Sequence, residues 1–216
     1  MKTAAIAAAL LVVAACGSAK EQASGGDKEA QKPTASPSET VCVTVSGVGR
    51  RLATVDLDKD GTREIVHLFP QGEGCPAALI VDGGSPSQPG PQVSLPDGEP
   101  PVTSAFAVAP SWSDGQLLVT RAEHPRGGYQ LRIYAVDGES LTELTVDGQP
   151  LVPFVATDVA PGKALVDCSQ DGFVVGTGAQ ARAYTVNGTD VTAGTPVKTA
   201  GGTVGQPAFA SCRVAG

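Results

Sequence analysis

The sequence predicts an all-β fold, and three observations lead to this prediction. Apolar and β-branched residues recur in short runs, and some runs alternate with polar residues at the period of two that is typical of a half-buried strand. Asp-Gly and Asn-Gly pairs stand between the runs, where they suit the tight turns of antiparallel hairpins. Beyond residue 40, no window of about a dozen residues shows a helical stripe free of Gly and Pro. We therefore expect an antiparallel, propeller-like or barrel-like domain.

Seven runs are expected to form strands. In chain order they are VCVTV (41–45), REIVHLF (63–69), AALIV (77–81), QLLVTRA (116–122), YQLRIYAV (129–136), GFVVG (172–176) and ARAYTV (181–186). In the fifth run, alternate residues from Leu131 to Ala135 are apolar, which predicts one buried and one exposed face. Tight turns are expected at 81–83, 136–138, 146–148 and 186–188. The Pro- and Gly-rich residues 82–101 are expected to form a long loop.

A degenerate repeat is indicated by Asp-Gly pairs that each open an apolar run. The pairs are Asp60-Gly61, Asp114-Gly115 and Asp171-Gly172, so that the intervals between their aspartates are 54 and 57 residues. Self-similarity at such a spacing is typical of stacked supersecondary units. We expect about three degenerate units, each roughly a pair of hairpins.

The first fifteen residues are expected to be a signal peptide. Residues 4–15 form an apolar run that is too short to span a bilayer, which needs ~20 residues, but that fits a secretory signal. The run ends in VAAC, which resembles the bacterial lipobox. That resemblance implies cleavage before Cys16, a diacylglycerol thioether on Cys16 and, often, an acyl chain on the new amino group. An ordinary secreted protein is the alternative.

Residues 16–40 are expected to be the lipidated Cys16 and a disordered tether, because residues 17–40 hold no apolar residue larger than Ala and cannot offset the entropy of ordering. Residues 41–216 are then one all-β domain with enough chain for a core. The formal charge of −7 lies in this domain and no basic stripe is present, which argues against nucleic acid as a partner. We expect a location on the outer, extracytoplasmic face of the cell membrane, with an envelope protein or a glycan as partner.

Four cysteines remain if Cys16 carries lipid, namely Cys42, Cys75, Cys168 and Cys212. An even number on the oxidising side of a membrane favours two disulfides. Three connectivities are open, and the nested one, Cys42–Cys212 around Cys75–Cys168, is preferred. Zinc is the alternative, although none of the spacings forms a CxxC pair.

The segment VDLDKDGTREIV (55–66) places acidic residues at alternate positions. Asp56, Asp58 and Asp60 occupy positions one, three and five of the loop, a glycine follows, and Thr62 and Glu64 stand at positions seven and nine. Oxygen ligands spaced in this way can wrap the chain around one hard cation, and Ca²⁺ accepts ~6–8 of them. The segment differs from an EF-hand because position twelve holds no Glu and no helix is predicted on either side.

The same segment resembles the DxDxDGxx(D/E) loops of FG-GAP and VCBS-type repeats, which occur in integrin-like propellers. The resemblance implies a structural Ca²⁺ held by the side chains of Asp56, Asp58, Asp60 and Glu64 and by the carbonyl of Thr62. PSWSDG and VDCSQDG keep only one or two of the carboxylates, so the resemblance does not extend to metal binding there. A solvated acidic turn, partly balanced by Lys59 and Arg63, is the alternative. As a whole, the chain resembles small actinobacterial lipoproteins.

Motifs of catalysis are missing from the sequence, which contains no GxSxG, HExxH or GxxxxGK[ST]. His67 is expected in a strand and His124 in a surface turn. Trp112, Tyr129 and Tyr134 are expected to be structural rather than a binding surface. We expect a non-catalytic binding or scaffolding module. The alternatives are an enzyme that acts on envelope polysaccharide with paired carboxylates ~5–10 Å apart, and a transporter's solute-binding lipoprotein.

Overall fold

The computed structural model describes residues 49–72, 74–82, 90–125, 127–137, 140–155, 164–177, 180–198 and 207–214. All of these fall within the unit Val41–Gly216. The predicted signal peptide and tether, Cys16, Cys42 and the predicted strand 41–45 lie outside the described residues.

The described residues form fifteen strands and no helix, which confirms the prediction of an all-β fold. None of them belongs to a helix long and apolar enough to cross a membrane. In chain order the strands are β1 (Arg50–Val55), β2 (Glu64–Phe69), β3 (Ala78–Asp82), β4 (Gln92–Ser94), β5 (Val102–Val108), β6 (Leu117–Glu123), β7 (Tyr129–Asp137), β8 (Ser140–Glu143), β9 (Thr145–Val146), β10 (Gln149–Pro150), β11 (Phe154–Val155), β12 (Ala164–Cys168), β13 (Gly172–Thr177), β14 (Gln180–Asn187) and β15 (Asp190–Val197).

Nine strands form the larger sheet, in the order β1-β2-β3-β4-β8-β7-β6-β5, with β11 beside β7. Neighbouring strands are antiparallel except β4 and β8. The two end strands, β1 and β5, approach each other, and the Arg50 guanidinium of β1 donates hydrogen bonds to the carbonyl oxygens of Val102 and Thr103. The larger sheet is therefore a nearly closed barrel.

The smaller sheet is an open half-barrel of six strands, in the order β10-β9-β15-β14-β13-β12. Two of its hairpins turn where the sequence predicts. Asp147 and Gly148, between β9 and β10, have φ of 52° and 73°, and Gly188, between β14 and β15, has φ of 63°. Asp-Gly and Asn-Gly pairs tolerate these positive φ angles, which tight hairpin turns require.

Two apolar cores lie on opposite faces of the larger sheet. Leu131 and Ile133 of β7 pack in a core between the two sheets, where the rings of Phe173 and Phe209 meet with centroids 5.5 Å apart. Tyr134, on the other face of β7, lies in the core inside the barrel and is 1% exposed. The prediction of one exposed face for this strand is wrong, because the barrel closes over that face.

The C-terminal segment joins the two sheets. It pairs with β5 through the bond from Ala109 N to the Cys212 carbonyl at 2.8 Å, and with β12 through the bond from Phe209 N to the Val166 carbonyl at 2.7 Å. Cys212 forms a disulfide with Cys168 at the end of β12, with Cα atoms 6.1 Å apart.

This disulfide makes the preferred nested pairing wrong. Cys168 bonds to Cys212, and neither Cys42–Cys212 nor Cys75–Cys168 can coexist with it. The physical reason is that the C-terminal segment runs beside β12, where the Asp167 carboxylate accepts hydrogen bonds from Ser211 N at 3.0 Å and from Ser211 Oγ at 2.7 Å. Cys75 is disulfide-bonded as well.

Candidate metal centre

Side-chain hydrogen bonds to the backbone shape the connection between β1 and β2. Asp58 Oδ1 accepts a hydrogen bond from Asp60 N at 3.1 Å, and Asp60 Oδ1 accepts one from Thr62 N at 2.6 Å. Aspartates in turns commonly make such bonds two residues along the chain. Gly61 has φ of 88°, a left-handed backbone conformation that favours glycine because residues with a Cβ rarely adopt it. The alternating acids therefore produce a tight turn between two strands.

Three carboxylates of this connection come together, and we name them the acid turn. One ligand oxygen each from Asp56, Asp58 and Glu64 lie within 4.8 Å of one another. Glu64 reaches back from the first position of β2 and accepts a hydrogen bond from Leu57 N at 2.7 Å. Leu57 is 3% exposed and belongs to the barrel core, which fixes the turn to the barrel. Asp60 is not a member of this group.

The acid turn thus contains three of the four carboxylates predicted to bind metal. The ligand roles of Asp60 and of the Thr62 carbonyl stay predictions. Within the described ranges, no further group of three His, Cys, Asp or Glu side chains comes this close together.

None of the ion pairs among the described residues involves the acid turn. Burial raises the pKa of Glu64 above its ordinary value of 4.5, and repulsion from Asp58 and Asp56 raises it further by smaller amounts. Lys59 directs its ammonium group away from the turn, to the carbonyl of Asp114 at 3.0 Å. Carboxylates this close repel one another unless a cation or protons intervene. The arrangement suits a cation from solution.

Two buried oxygens at this place have no hydrogen-bond partner within the protein, and they are Asp56 Oδ1 and Gln116 Oε1. Gln116 is only 7% exposed, and its backbone N donates to the Leu57 carbonyl at 3.4 Å. Both side chains line a cavity of about 650 Å³ between β1 and β5, which Gly61 and three arginines, Arg51, Arg63 and Arg213, also border. A buried acceptor without a donor costs free energy, and a cation would relieve that cost. Gln116 was not among the predicted site residues, although it directly follows the second Asp-Gly pair.

The three Asp-Gly connections are neighbours in space. The bond from Lys59 to the Asp114 carbonyl joins the first to the second. Trp112 joins the second to the third, because its Nε1 donates to the Gly172 carbonyl at 3.1 Å and its ring meets Phe173 edge-on at 5.3 Å. Each connection links two antiparallel strands of a hairpin. The repeat itself stays a prediction.

A second charged group, which sequence reasoning missed, lies inside the barrel, and we name it the barrel cluster. Arg132, which is 6% exposed, donates from Nε to Glu99 Oε2 at 2.7 Å and from Nη2 to the other oxygen of Glu99. Its Nη1 donates to Glu143. Burial raises the pKa of Glu143, and the charge of Arg132 opposes this shift. The only signal in the sequence was an arginine in a strongly apolar strand.

The remaining aromatic residues and histidines have structural contacts. Tyr129 is 8% exposed and Tyr134 is 1% exposed, so they cannot form a binding surface. His67 lies in β2, as predicted. His124 meets the ring of Phe154 edge-on at 5.4 Å.

The fold and the site define a class of protein, which is an all-β domain with a nearly closed barrel, a half-barrel and an acid turn suited to a hard cation. Comparisons of the chain with protein-family models, with curated proteins and with solved structures find no match. The resemblances to the lipobox and to FG-GAP and VCBS-type loops therefore stay predictions that depend on the residues named for them.

Proposed function

We propose that this chain is an extracytoplasmic lipoprotein whose β domain is a non-catalytic binding or scaffolding module, stabilised by one structural Ca²⁺ ion. One observation carries the metal proposal: three carboxylates converge in the acid turn, and no basic side chain among the described residues forms an ion pair with them. The anchor is proposed from Cys16 at the end of the apolar N-terminal run.

The donor atoms of the site suit calcium. Asp56, Asp58 and Glu64 offer carboxylate oxygens, and Gln116 offers a neutral amide oxygen that has no other partner within the protein. Calcium takes ~6–8 oxygen ligands in flexible geometry, whereas magnesium demands a regular octahedron and keeps its waters. Water and main-chain carbonyls would complete the shell around calcium at the solvent-exposed side of the turn.

The role proposed for the ion is structural, because of what the acid turn touches. The connection that carries the acid turn begins where β1 ends. Through Leu57 and Lys59, this connection contacts the one that leads into β6. The two connections flank the gap between β1 and β5, which the backbone hydrogen bonds of the described strands do not close. An ion that holds the turn in place would stabilise this side of the barrel, since its binding free energy adds to the free energy of folding.

Chelation of the full-length chain tests the metal proposal. EDTA is expected to lower the melting temperature, calcium to restore it and magnesium to restore it less. At a free calcium concentration 100 times the Kd, the ion adds ~2.7 kcal/mol to the free energy of unfolding. A melting temperature that is the same in EDTA and in calcium would refute the structural ion.

Fractionation of cells tests the anchor. The Cys16→Ala variant is expected to leave the membrane fraction, because the thioether that attaches the lipid cannot form. Ser18→Ala, a neighbouring change that keeps the cysteine, serves as the control and is expected to stay with the membrane. Unchanged membrane association of Cys16→Ala would exclude lipidation at this residue.

The module proposal is preferred to the polysaccharide enzyme because of how the described carboxylates are engaged. An acid–base pair needs two carboxyl groups facing a groove ~5–10 Å apart. Glu99 and Glu143 instead bind one guanidinium, and the acid turn is a tight cluster. Incubation of the chain with envelope polysaccharide is expected to release no reducing ends, and release that depends on Glu99 or Glu64 would favour the enzyme.

A further inference from the structure

The interior of the barrel has a filled half and a hollow half. Leu118 of β6 and Tyr134 of β7 point into the filled half, where they pack in the apolar core. Thr120 and Ala122 follow Leu118 at alternate positions of β6, and Arg132 precedes Tyr134 by two in β7, so these side chains share the inward face. They border a cavity of about 270 Å³.

The walls of this cavity are mostly apolar. Leu68 comes from β2, Ala77 lies just before β3 and Val102 begins β5, while Leu95, Pro96 and Pro101 belong to the connection between β4 and β5. Apolar walls with a few polar groups are typical of small-molecule sites, which usually have ~300–1,000 Å³. The volume lies just below that range and, at ~30 Å³ per water-sized group, holds on the order of ten non-hydrogen atoms.

The polar end of the cavity is formed by the barrel cluster. Arg132 and Glu99 both border the cavity, whereas Glu143 is not part of its lining. Glu143 ends the strand β8 and its side chain is 17% exposed, while Glu99 comes from the connection at residues 95–101 and its side chain is 35% exposed. The guanidinium of Arg132 therefore has two partners. Glu143 belongs to a strand and lies outside the cavity, whereas Glu99 belongs to the connection between β4 and β5 and lies at the cavity wall.

We propose that the cavity binds a small amphipathic monocarboxylate whose carboxylate replaces Glu99 on the guanidinium of Arg132, while its apolar body lies against Leu68, Ala77 and Val102. The fork of an arginine matches a carboxylate with two parallel hydrogen bonds, and Glu99 already shows that geometry here. The exchange leaves the number of buried charges unchanged, because one carboxylate leaves as another enters. The displaced carboxylate of Glu99 becomes hydrated, and the apolar body of the ligand is buried.

Two other ligand classes fit the cavity less well. An amine would bring a second cation next to the guanidinium of Arg132, which repels it and already engages both carboxylates of the barrel cluster, Glu99 and Glu143. A neutral apolar molecule would leave the Arg132–Glu99 pair intact and would gain no polar contact at that end. This inference depends neither on the calcium ion nor on the lipid anchor.

Calorimetric titration of the full-length chain, purified with its disulfides formed, tests the proposal with three probes of equal chain length. Hexanoate is expected to bind at least tenfold more tightly than hexylamine or 1-hexanol. The Glu99→Gln variant is expected to bind hexanoate at least tenfold more tightly than the wild type, because it removes the internal competitor and keeps the guanidinium. Glu123→Gln is the matched control, since Glu123 is exposed, pairs with Arg121 and does not line the cavity, and the affinity of this variant should equal that of the wild type.

Three results would overturn the proposal. The first is tighter binding of hexylamine than of hexanoate. The second is a Glu99→Gln variant that binds hexanoate no more tightly than the wild type. The third is an absence of hexanoate binding to both the wild type and the Glu99→Gln variant. Glu99 lies in a connection rather than a strand, so the variant is expected to fold, and its melting temperature in the absence of probe verifies this.

Discussion

The acid turn and the barrel cluster both bring carboxylates close together, but they differ in where the balancing charge comes from. In the barrel cluster, Glu99 and Glu143 share the guanidinium of Arg132, which is buried with them. In the acid turn, the nearest described lysine bonds elsewhere, to the carbonyl of Asp114, and two buried oxygens beside the turn lack partners within the protein. The chain supplies its own cation inside the barrel, and we propose that it takes one from solution at the turn.

This difference has a physical basis in burial. A charge buried inside the barrel needs a partner within the protein. Removal of one partner of a buried ion pair lowers the free energy of unfolding by an amount on the order of 3–5 kcal/mol, because the other charge stays buried and unpaired. The turn borders solvent, where ions exchange freely, so its carboxylates can converge without a fixed partner. Four predictions follow from the comparison, and they are given from the largest expected effect to the smallest.

Loss of the internal cation should have the largest effect. Arg132→Met leaves Glu99 and Glu143 without their partner, and we expect the free energy of unfolding to fall by about 3–5 kcal/mol. Calcium should not restore it. The control Arg121→Met removes a half-buried arginine that pairs with Glu123 and lies over the ring of Tyr129, and it should cost about 1–2 kcal/mol. Denaturant unfolding measures both, and equal losses would show that the barrel cluster is no more important than a surface ion pair.

Loss of one carboxylate from the acid turn should matter only when calcium is present. Asp56→Asn removes a carboxylate with a buried, unpartnered oxygen, and we expect it to abolish up to ~3 kcal/mol of calcium-dependent stability while it changes little in EDTA. Asp114→Asn is the matched control, because Asp114 is exposed and belongs to no metal-binding group in the described ranges. Thermal unfolding with and without calcium measures the effect, and an Asp56→Asn variant that responds to calcium like the wild type would contradict the site.

Acid should weaken the response to calcium. The pKa of Glu64 is raised above 4.5 by burial and by its acidic neighbours, and metal binding requires the ionised form. We therefore expect the calcium-induced rise in melting temperature to shrink as the pH falls through the raised pKa towards 4.5.

In EDTA, where no calcium binds, a fall in pH should have the opposite effect and should increase the contribution of Glu64 to the free energy of unfolding. An acid whose pKa is raised on folding stabilises the fold below its unfolded pKa and loses that contribution as the pH rises through its folded pKa. Glu143 acts in the same direction, so the difference between the wild type and Glu64→Gln isolates Glu64. A calcium response that stays constant as the pH falls from 7 to 4.5 would contradict this account.

Loss of Lys59 should have the smallest effect. If Lys59 balances the acid turn, as the alternative interpretation requires, Lys59→Met should destabilise the chain in EDTA. Because its ammonium bonds to the Asp114 carbonyl instead, we expect a change within ~0.5 kcal/mol in the free energy of unfolding. A larger loss that calcium does not reverse would support the solvated acidic turn.

Local patterns predicted the strands well where hairpins are short. Six of the seven predicted strands lie in the described ranges, and each matches an observed strand to within one residue at either end. The pattern of β7 was read correctly as a strand and wrongly as half-buried. Alternation reports the chemistry of each face, but the closure of the barrel depends on β1 and β5, which are distant in sequence.

Very short strands, and contacts between residues that are far apart in the sequence, could not be predicted from local patterns. The expected loop at 82–101 contains the short strand β4, which alternation over three residues cannot reveal. The acid turn was recognisable because its ligands lie within nine residues. The partners of Arg132 are 33 and 11 residues away, and Gln116 is held beside the acid turn by a backbone hydrogen bond to the distant Leu57 carbonyl. Contacts of this kind are set by tertiary structure, and a single sequence carries no spacing rule for them.

Direct titration of the full-length chain with calcium, after treatment with EDTA and removal of the chelator, tests the central claim most directly. The account predicts saturable binding of one Ca²⁺ per chain that is lost in Asp56→Asn and kept in Asp114→Asn. No heat of binding from the wild type at neutral pH, or equal binding by the wild type and Asp56→Asn, would contradict it.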